Sequence, residues 1–337
     1  MIARLRVVAP IFAVLVLLPV VASARTSSGS AAQNPPSAQV VKQLQHGSSR
    51  LLIHYSPTEF KLTERDITEW VLRSARATTT FFGRFPVAEV RIHLLPARGE
   101  GVQDGEAWAN PRSNIRLVIG RGTTRAELMK ESVLVHEMTH LAFPDMDDAH
   151  LWLHEGIATY VETIARAQAR DIPPAQAWAV FAEEMPAGLP ERGDAGIDDT
   201  PSSDRRYWGG AIFCLTADIE IRRRTQNRFG LKDALRGVLN AGGTLSATWT
   251  IERALDTGDK AVGVPVLREL YATWKAKSVS PDLKQLWSEL GIRPRAGTVS
   301  LVESAPLAPI RRAITELPPR PILLAGPSLL YEATRKR

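Results

Sequence analysis

Three short runs rich in apolar residues lie in the first part of the chain and suit strands. The runs cover 51–55, 87–95 and 114–119. In the second run Val90, Ile92 and Leu94 fall on one face, a period-two pattern that is typical of a half-buried strand. These runs predict three strands of a small sheet.

Between and after these strands the apolar spacing changes to that of helices. Thr63 precedes the first such stretch, and Asp66 three residues later gives an imperfect capping box for a helix that continues toward Phe82. Helical periodicity then recurs over 124–143, 150–170, 174–185, 207–224, 230–239, 263–276 and 281–290. Strands followed by helices predict an α+β fold, in which a small N-terminal sheet packs on one helix and a helical C-terminal subdomain follows.

Four segments lack this periodicity. Residues 1–24 combine two arginines, an apolar run and small residues, which is the layout of a secretory signal peptide. Residues 25–50 are rich in Ser, Ala, Gln and Pro and predict a flexible linker. Residues 186–206 predict a long surface loop, and 298–337 predict a Pro-rich tail. The folded domain is therefore expected over 51–297.

Cleavage of the signal segment would export the protein. The Arg- and Ala-rich composition is typical of a bacterial source, so the expected location is the periplasm or the medium. We expect no stable membrane span after cleavage, because no later run is long and apolar enough to cross a bilayer. An uncleaved segment would instead anchor the protein in the membrane.

The net charge of +6 is concentrated at the two ends of the chain. The first 24 residues contribute +2 and the last 37 contribute +3, which leaves +1 for residues 25–300. A nearly neutral body argues against nucleic acid as a partner. Cys214 is the single cysteine, so no internal disulfide forms, and its apolar neighbours predict a small buried hydrophobic residue.

An H-E-x-x-H motif lies in the predicted helix 124–143, formed by His136, Glu137 and His140. Residues four apart on a helix share a face, so the two imidazoles can direct nitrogens at one metal ion roughly 2 Å away. Glu137 is turned away by one helical step, from where a carboxylate can reach a water on the metal without binding the metal itself.

A second motif follows at 152–162, with the sequence WLHEGIATYVE. A catalytic zinc generally takes three protein ligands, and Glu155 on the next helix is a natural third. Gly156 beside it permits close approach of backbone or substrate. His150 and His154 share the i, i+4 spacing and could imitate a metal cluster with Glu155, but His150 lies at the predicted helix start, where exposure explains it.

Together these motifs resemble those of the gluzincin metallopeptidases, in which H-E-x-x-H is followed on the next helix by W-L-x-E-G-x-A-x-Y. Within that clan the chain is most similar to the glycyl aminopeptidase family, because the run 207–222 resembles that family's Tyr-x-x-Gly-Ala helix. The chain differs from the pattern at His154, where many relatives have Asn. The resemblance implies a thermolysin-like zincin domain over 51–297 that binds Zn²⁺ and acts on a peptide or protein substrate.

By this resemblance His136, His140 and Glu155 would hold Zn²⁺, and Glu137 would act as general base. Tyr207 would donate its hydroxyl to the oxyanion of the tetrahedral intermediate. The residues alone leave Tyr207 open, because an aromatic side chain at the start of a buried helix needs no functional role.

Two further acids are candidates to orient the metal ligands. Glu162 lies two residues beyond the aromatic end of the second motif and is either a partner of a zinc-bound histidine or a solvated helix charge. Asp218 is a candidate for the same role toward His140.

The sequence therefore predicts an exported zinc metallopeptidase, aminopeptidase-like by resemblance. The alternative is a zinc-binding envelope protein without turnover, against which Glu137 and Tyr207 argue, because a structural zinc site needs neither. A metal-free helical domain with an accidental motif is a third hypothesis. The residues do not indicate an oligomeric state.

Overall fold

The computed structural model describes residues 40–200 and 202–317. The predicted signal peptide, 1–24, lies outside the described residues. The strands are β1 (Val40–His46), β2 (Ser49–Tyr55), β3 (Glu89–Ala97), β4 (Val102–Trp108), β5 (Asn114–Gly120), β6 (Ile292–Arg295) and β7 (Thr298–Leu301). The helices are α1 (Glu64–Phe82), α2 (Arg125–Leu128), α3 (Val133–His140), α4 (Leu151–Gln168), α5 (Pro174–Glu184), α6 (Gly210–Arg224), α7 (Leu231–Asn240), α8 (Ile251–Val262), α9 (Val266–Trp274), α10 (Leu283–Leu290) and α11 (Ala308–Thr315).

Five strands form one sheet in the order β1-β2-β3-β5-β4. β2, β3 and β5 are parallel, whereas β1 and β4 are antiparallel edge strands. The three central strands bury every second side chain on one face, namely Leu51, Ile53, Val90, Ile92, Leu94, Ile115, Leu117 and Ile119. The three strands predicted from the sequence are therefore the central ones, and the buried face predicted for β3 is confirmed.

Helix α1 packs on the buried face of the sheet. The Thr63 side chain accepts the Asp66 backbone N–H at 3.2 Å, and the Asp66 carboxylate accepts the Thr63 backbone N–H at 2.9 Å. The capping box is thus complete despite its Asp. The helix ends at Gly83, whose φ of 81° suits a residue without a Cβ.

A helical part follows the sheet and has its own core. α4 runs through it and is buried along most of its length. Large side chains such as Trp152, Trp178 and Phe213 fill the space around it. The mixed α+β architecture with an N-terminal sheet is therefore as predicted. Within the described residues, no helix is both long enough and apolar enough to cross a membrane.

The helix expected over 124–143 is two helices, so this boundary prediction is wrong. Thr124 caps α2 as expected, with Glu127 closing its capping box. The chain then leaves helical geometry before Val133. At this break Ser132 donates its hydroxyl to Glu162 on α4, at 3.2 Å. A side chain that bonds to another element competes with continuation of its own helix, which the local pattern does not reveal.

Regular structure extends into both ranges expected to be irregular. β1 lies within the predicted linker 25–50 and pairs along its whole length with β2. β7 and α11 lie within the predicted tail 298–337, of which residues beyond 317 are outside the described part. Arg311 on α11 is buried and donates to the carbonyl oxygens of Leu290 and Val302, at 2.9 and 3.0 Å. Strand pairing and the Arg311 side chain, rather than local periodicity, order these segments.

The segment predicted as a surface loop, 186–206, packs onto the helical part where the structure describes it. Ile197 is buried, and the Asp198 carboxylate accepts hydrogen bonds from Trp152 Nε1 at 2.7 Å and from the Tyr271 hydroxyl at 2.8 Å. One aspartate thus ties this segment to α4 and α9. The prediction of an irregular path is correct, but the segment is not confined to the surface.

Candidate metal centre

Three side chains from two helices converge at the junction of the sheet and the helical part. His136 and His140 lie one turn apart on α3, with ring centroids separated by 4.8 Å. Glu155 on α4 places Oε2 3.1 Å from His136 Nε2 and 3.6 Å from His140 Nε2. In the described part of the chain, this is the only group of three or more potential metal ligands whose donor atoms lie so close, within 4.8 Å of one another.

This donor set suits zinc. Two imidazole nitrogens and one carboxylate oxygen face one another in a nearly solvent-free site, and zinc accepts both types of ligand. Three protein ligands leave one position in a tetrahedral arrangement for water or substrate. The predicted ligands His136, His140 and Glu155 are therefore brought together in a way that fits the ion.

The charges of the three donors follow from burial and from their contacts. Burial alone would raise the pKa of Glu155, but His140 and His136 lower it to about 2. Burial lowers the pKa of His140 to about 3. Burial also opposes charge on His136, yet hydrogen bonds with Glu155 and Glu162 raise its pKa well above 6.5. The Glu155 and Glu162 carboxylates on either side of His136 thus make this a place where a cation would be stabilised.

Glu137 is buried beside the ligand group, with 5% of its surface exposed. Burial raises its pKa to about 8, with further contributions from the Glu155 and Glu162 carboxylates. Its Oε1 lies only 2.5 Å from the position that a Cβ on Gly105 would occupy, so the carboxyl group rests against the backbone of β4. A carboxyl group with a pKa near neutrality can both accept and return a proton.

Glu162 contacts the outer nitrogen of His136. Its Oε2 lies 3.1 Å from His136 Nδ1, and its Oε1 accepts the Ser132 hydroxyl. Of the two interpretations of Glu162, the structure supports the partner of a ligand histidine. A carboxylate at Nδ1 directs the lone pair of Nε2 toward the ligand group.

The partner of His140 is His154, not Asp218. The Nδ1 atoms of His140 and His154 lie 3.2 Å apart. Asp218 instead accepts the Tyr160 hydroxyl at 2.8 Å and Arg222 Nε at 2.7 Å, deep in the helical core. The hypothesis for Asp218 is therefore wrong, because a neighbouring arginine and tyrosine satisfy its oxygens.

Tyr207 lies beside the ligand group. It belongs to a π-helical turn, Arg205–Gly209, that runs directly into α6, so the helix predicted to begin at 207 is present and its first residues are π-helical. Its ring lies 6.0 Å from the His136 ring. Burial and the nearby carboxylates of Glu155 and Glu137 raise the pKa of Tyr207, which keeps the hydroxyl protonated as a donor.

Two glycines explain how the π turn reaches the metal ligands. A Cβ on Gly156 would lie 2.3 Å from backbone atoms of Gly210. α4 and α6 therefore cross in backbone contact directly after Glu155, and the turn before α6 is held over that residue. π turns of this kind occur frequently at functional sites.

Two other residues considered from the sequence lie apart from this group. His150 is partly buried, not exposed as expected, and its Nδ1 lies 3.3 Å from the Asp198 carboxylate. Cys214 is buried, and burial raises the pKa of its thiol, so it behaves as the predicted small hydrophobic residue.

Comparisons with known proteins give a likeness of fold. No protein-family model matches the chain, and no curated protein matches it in sequence. A crystal structure of an aminopeptidase N family protein from Idiomarina loihiensis is similar with a TM-score of 0.57 at 13% identity, covering 75% of this chain and 49% of that one. An M1 zinc metallopeptidase from Deinococcus radiodurans has a TM-score of 0.48 at 16% identity, covering 72% of this chain and 52% of that one.

The chain thus spans about half the length of these solved structures. Its mixed α+β fold is similar to that of the aminopeptidase N family protein. The narrower resemblance to glycyl aminopeptidases stays a prediction from the sequence motifs.

Proposed function

We propose that this protein is a zinc-dependent metallopeptidase that hydrolyses peptide bonds. The observation that carries the proposal is the convergence of His136, His140 and Glu155 with two further groups, Glu137 and Tyr207, at one buried point. A structural zinc site requires neither a proton-transferring carboxyl group nor a hydroxyl donor.

His136, His140 and Glu155 would hold the ion. Bound there, zinc supplies Lewis acidity toward the substrate carbonyl group and increases the acidity of water. Glu137 takes a proton from the attacking water and returns it to the leaving amine, a role that suits a buried carboxyl group beside the proposed ligands. The Tyr207 hydroxyl donates a hydrogen bond to the oxyanion that develops on the scissile carbonyl.

An extended peptide is the substrate that this site would accommodate. β4 is an edge strand of the sheet, and Gly105 on it lies against Glu137. A peptide that added to this edge as a further strand would pass the carboxyl group of the base. Removal of single N-terminal residues is the finer proposal, and it rests on the family resemblance. Export of the protein likewise rests on residues 1–24, which lie outside the described residues.

The experiment is mass spectrometry of a mixed peptide library incubated with purified protein, with and without a chelator. We expect chelator-sensitive cleavage, and the position of the cuts separates an aminopeptidase from an endopeptidase. Glu137→Ala should retain zinc, measured by elemental analysis, while turnover falls by about 10²–10⁴-fold. His140→Ala should lose zinc affinity as well.

Three results would decide against the proposal. Cleavage that persists in Glu137→Ala contradicts the assignment of the general base. Zinc binding without cleavage of any library peptide would favour the alternative function, a zinc-binding envelope protein without turnover. A protein that binds no zinc would support a metal-free domain.

A further inference from the structure

A chain of hydrogen bonds runs outward from His140 to a backbone carbonyl. His140 Nδ1 lies 3.2 Å from His154 Nδ1, and His154 Nε2 lies 2.8 Å from the carbonyl oxygen of Pro144. Pro144 belongs to the loop after α3, whereas His154 lies on α4 immediately before Glu155. These hydrogen bonds therefore link α3 and the loop after it to α4, the two helices that carry the candidate metal ligands.

The terminal carbonyl determines where each proton lies. A carbonyl oxygen can only accept, so His154 must carry its proton on Nε2. A neutral imidazole has one N–H, which leaves a lone pair on His154 Nδ1. His140 must then donate from its own Nδ1, and its Nε2 keeps a free lone pair. That nitrogen is the one 3.6 Å from Glu155 Oε2, inside the ligand group.

The surroundings of His154 keep this arrangement in place. Only 8% of His154 is exposed, so little water competes for its nitrogens. Phe143 packs edge-on against its ring, with centroids 5.6 Å apart, and limits rotation of the imidazole. The ring therefore holds one orientation between an acceptor and a donor.

We propose that His154 is a positioning residue that sets the tautomer of His140, so that His140 presents a lone pair on Nε2 to zinc. The inference deepens the proposed function and rests on zinc as its metal. It makes the two histidine ligands unequal. Nδ1 of His136 contacts a carboxylate, Glu162. Nδ1 of His140 instead contacts the neutral ring of His154, which donates to a backbone carbonyl oxygen.

The first test is zinc affinity, measured by competition with a chromophoric chelator on the full chain. His154→Phe keeps the ring but removes the acceptor, and we expect affinity about 10–100-fold weaker than in the wild type. His154→Asn places an amide oxygen at the same distance along the side chain as Nδ1, so affinity should largely return. His93→Phe is the matched control, because His93 lies on the opposite face of the sheet and should leave affinity unchanged.

The second test needs neither metal nor turnover. Nitrogen NMR of histidine-labelled, zinc-free wild-type protein should show the His140 proton on Nδ1 and the His154 proton on Nε2. A proton on His140 Nε2 would overturn the inference, even if the variants failed to fold. So would equal zinc affinity of His154→Phe and the wild type, or equal losses in the Phe and Asn variants.

These outcomes separate the inference from the proposed function. A wild-type protein that binds no zinc would refute the metallopeptidase proposal and with it the role of His154 toward zinc. A wild-type protein that binds zinc with the other tautomer refutes the role of His154 alone.

Discussion

The close crossing of α4 and α6 can be tested by adding one methyl group. A Cβ on Gly156 would lie 2.3 Å from the Cα and carbonyl carbon of Gly210, whereas ordinary van der Waals contact begins at 3.4 Å. The obstacle is backbone, so no side-chain rotation can relieve it. In Gly156→Ala the two helices must separate locally by about 1 Å, in a core that is otherwise closely packed.

The expected loss of stability combines two effects of opposite sign. Replacing Gly by Ala inside a helix gains about 1 kcal/mol of helix propensity. Overpacking of a buried position costs about 1–3 kcal/mol, and a backbone obstacle places Gly156→Ala at the upper end of that range. We therefore expect the free energy of unfolding to fall by about 2 kcal/mol. For a domain of this size, the Tm should fall by about 4 °C or more.

The assay is thermal unfolding followed by circular dichroism, with chelator present so that bound metal does not mask the change. Gly258→Ala is the matched control, because Gly258 is also a buried helical glycine. Its Cβ would meet the tip of the flexible Leu267 side chain at 2.7 Å, which can move. We expect Gly258→Ala to be at least as stable as the wild type. Equal stability of the two variants would refute the argument from the backbone crossing.

Three further predictions concern the centre itself. Tyr207→Phe should lower kcat by about 10²–10³-fold without changing zinc affinity, because it removes only the oxyanion donor; unchanged steady-state kinetics on a cleaved library peptide would contradict that role. Glu162→Gln should weaken zinc binding by about 10–100-fold in a chelator competition, because His136 loses a charged partner; equal affinity would show that the carboxylate does not orient the ring. Gly105→Ala should retain zinc but lower turnover by about 100-fold, because the methyl group would displace the Glu137 carboxyl group; wild-type turnover would show that β4 does not hold the base in place.

The sequence predicted that the three candidate ligands would lie close together, because they are on helices with regular spacing. His136 and His140 are one turn apart on α3, and the second motif places Glu155 on the helix that packs against it. The periodicity of a helix determines which side chains share a face, so the placement of His136 and His140 on one face follows once the helix is predicted. The central strands were also predicted from local patterns, two as short apolar runs and β3 from the alternation that marks its buried face.

Elements held by distant partners were missed. β4 contains few buried side chains and is ordered by pairing with β5. α8 was missed for a different reason. Residues 256–258 within it have the composition of a turn, although Ile251, Leu255 and Val262 are buried on one face of the helix. α11 is held in part by Arg311, which donates to the carbonyl oxygens of Leu290 and Val302, outside its own helix. A local sequence pattern does not reveal contacts of this kind.

The groups behind the metal ligands were only partly predictable. Glu162 lies two turns after Glu155 on the same face of α4, so its contact with His136 followed as one of two hypotheses. His154 precedes a metal ligand and gave no signal of its role, because its partner, the Pro144 carbonyl, belongs to a loop whose path cannot be derived from periodicity. Asp218 failed as a candidate since spacing alone cannot show that Tyr160 and Arg222 lie closer to it.

The position of α3 between two cores explains why all these contacts meet at one place. Leu134, Met138 and Leu141 face the core under the sheet, whereas Val135 and Ala142 face the helical core. A helix that contributes to both cores cannot shift toward one without opening the other. His136 and His140 lie on a third face of α3, away from both apolar faces, and Glu155 reaches them from α4. The geometry of the centre therefore depends on the packing of both halves. A destabilising substitution in either core should weaken metal binding even when it is too mild to unfold the protein.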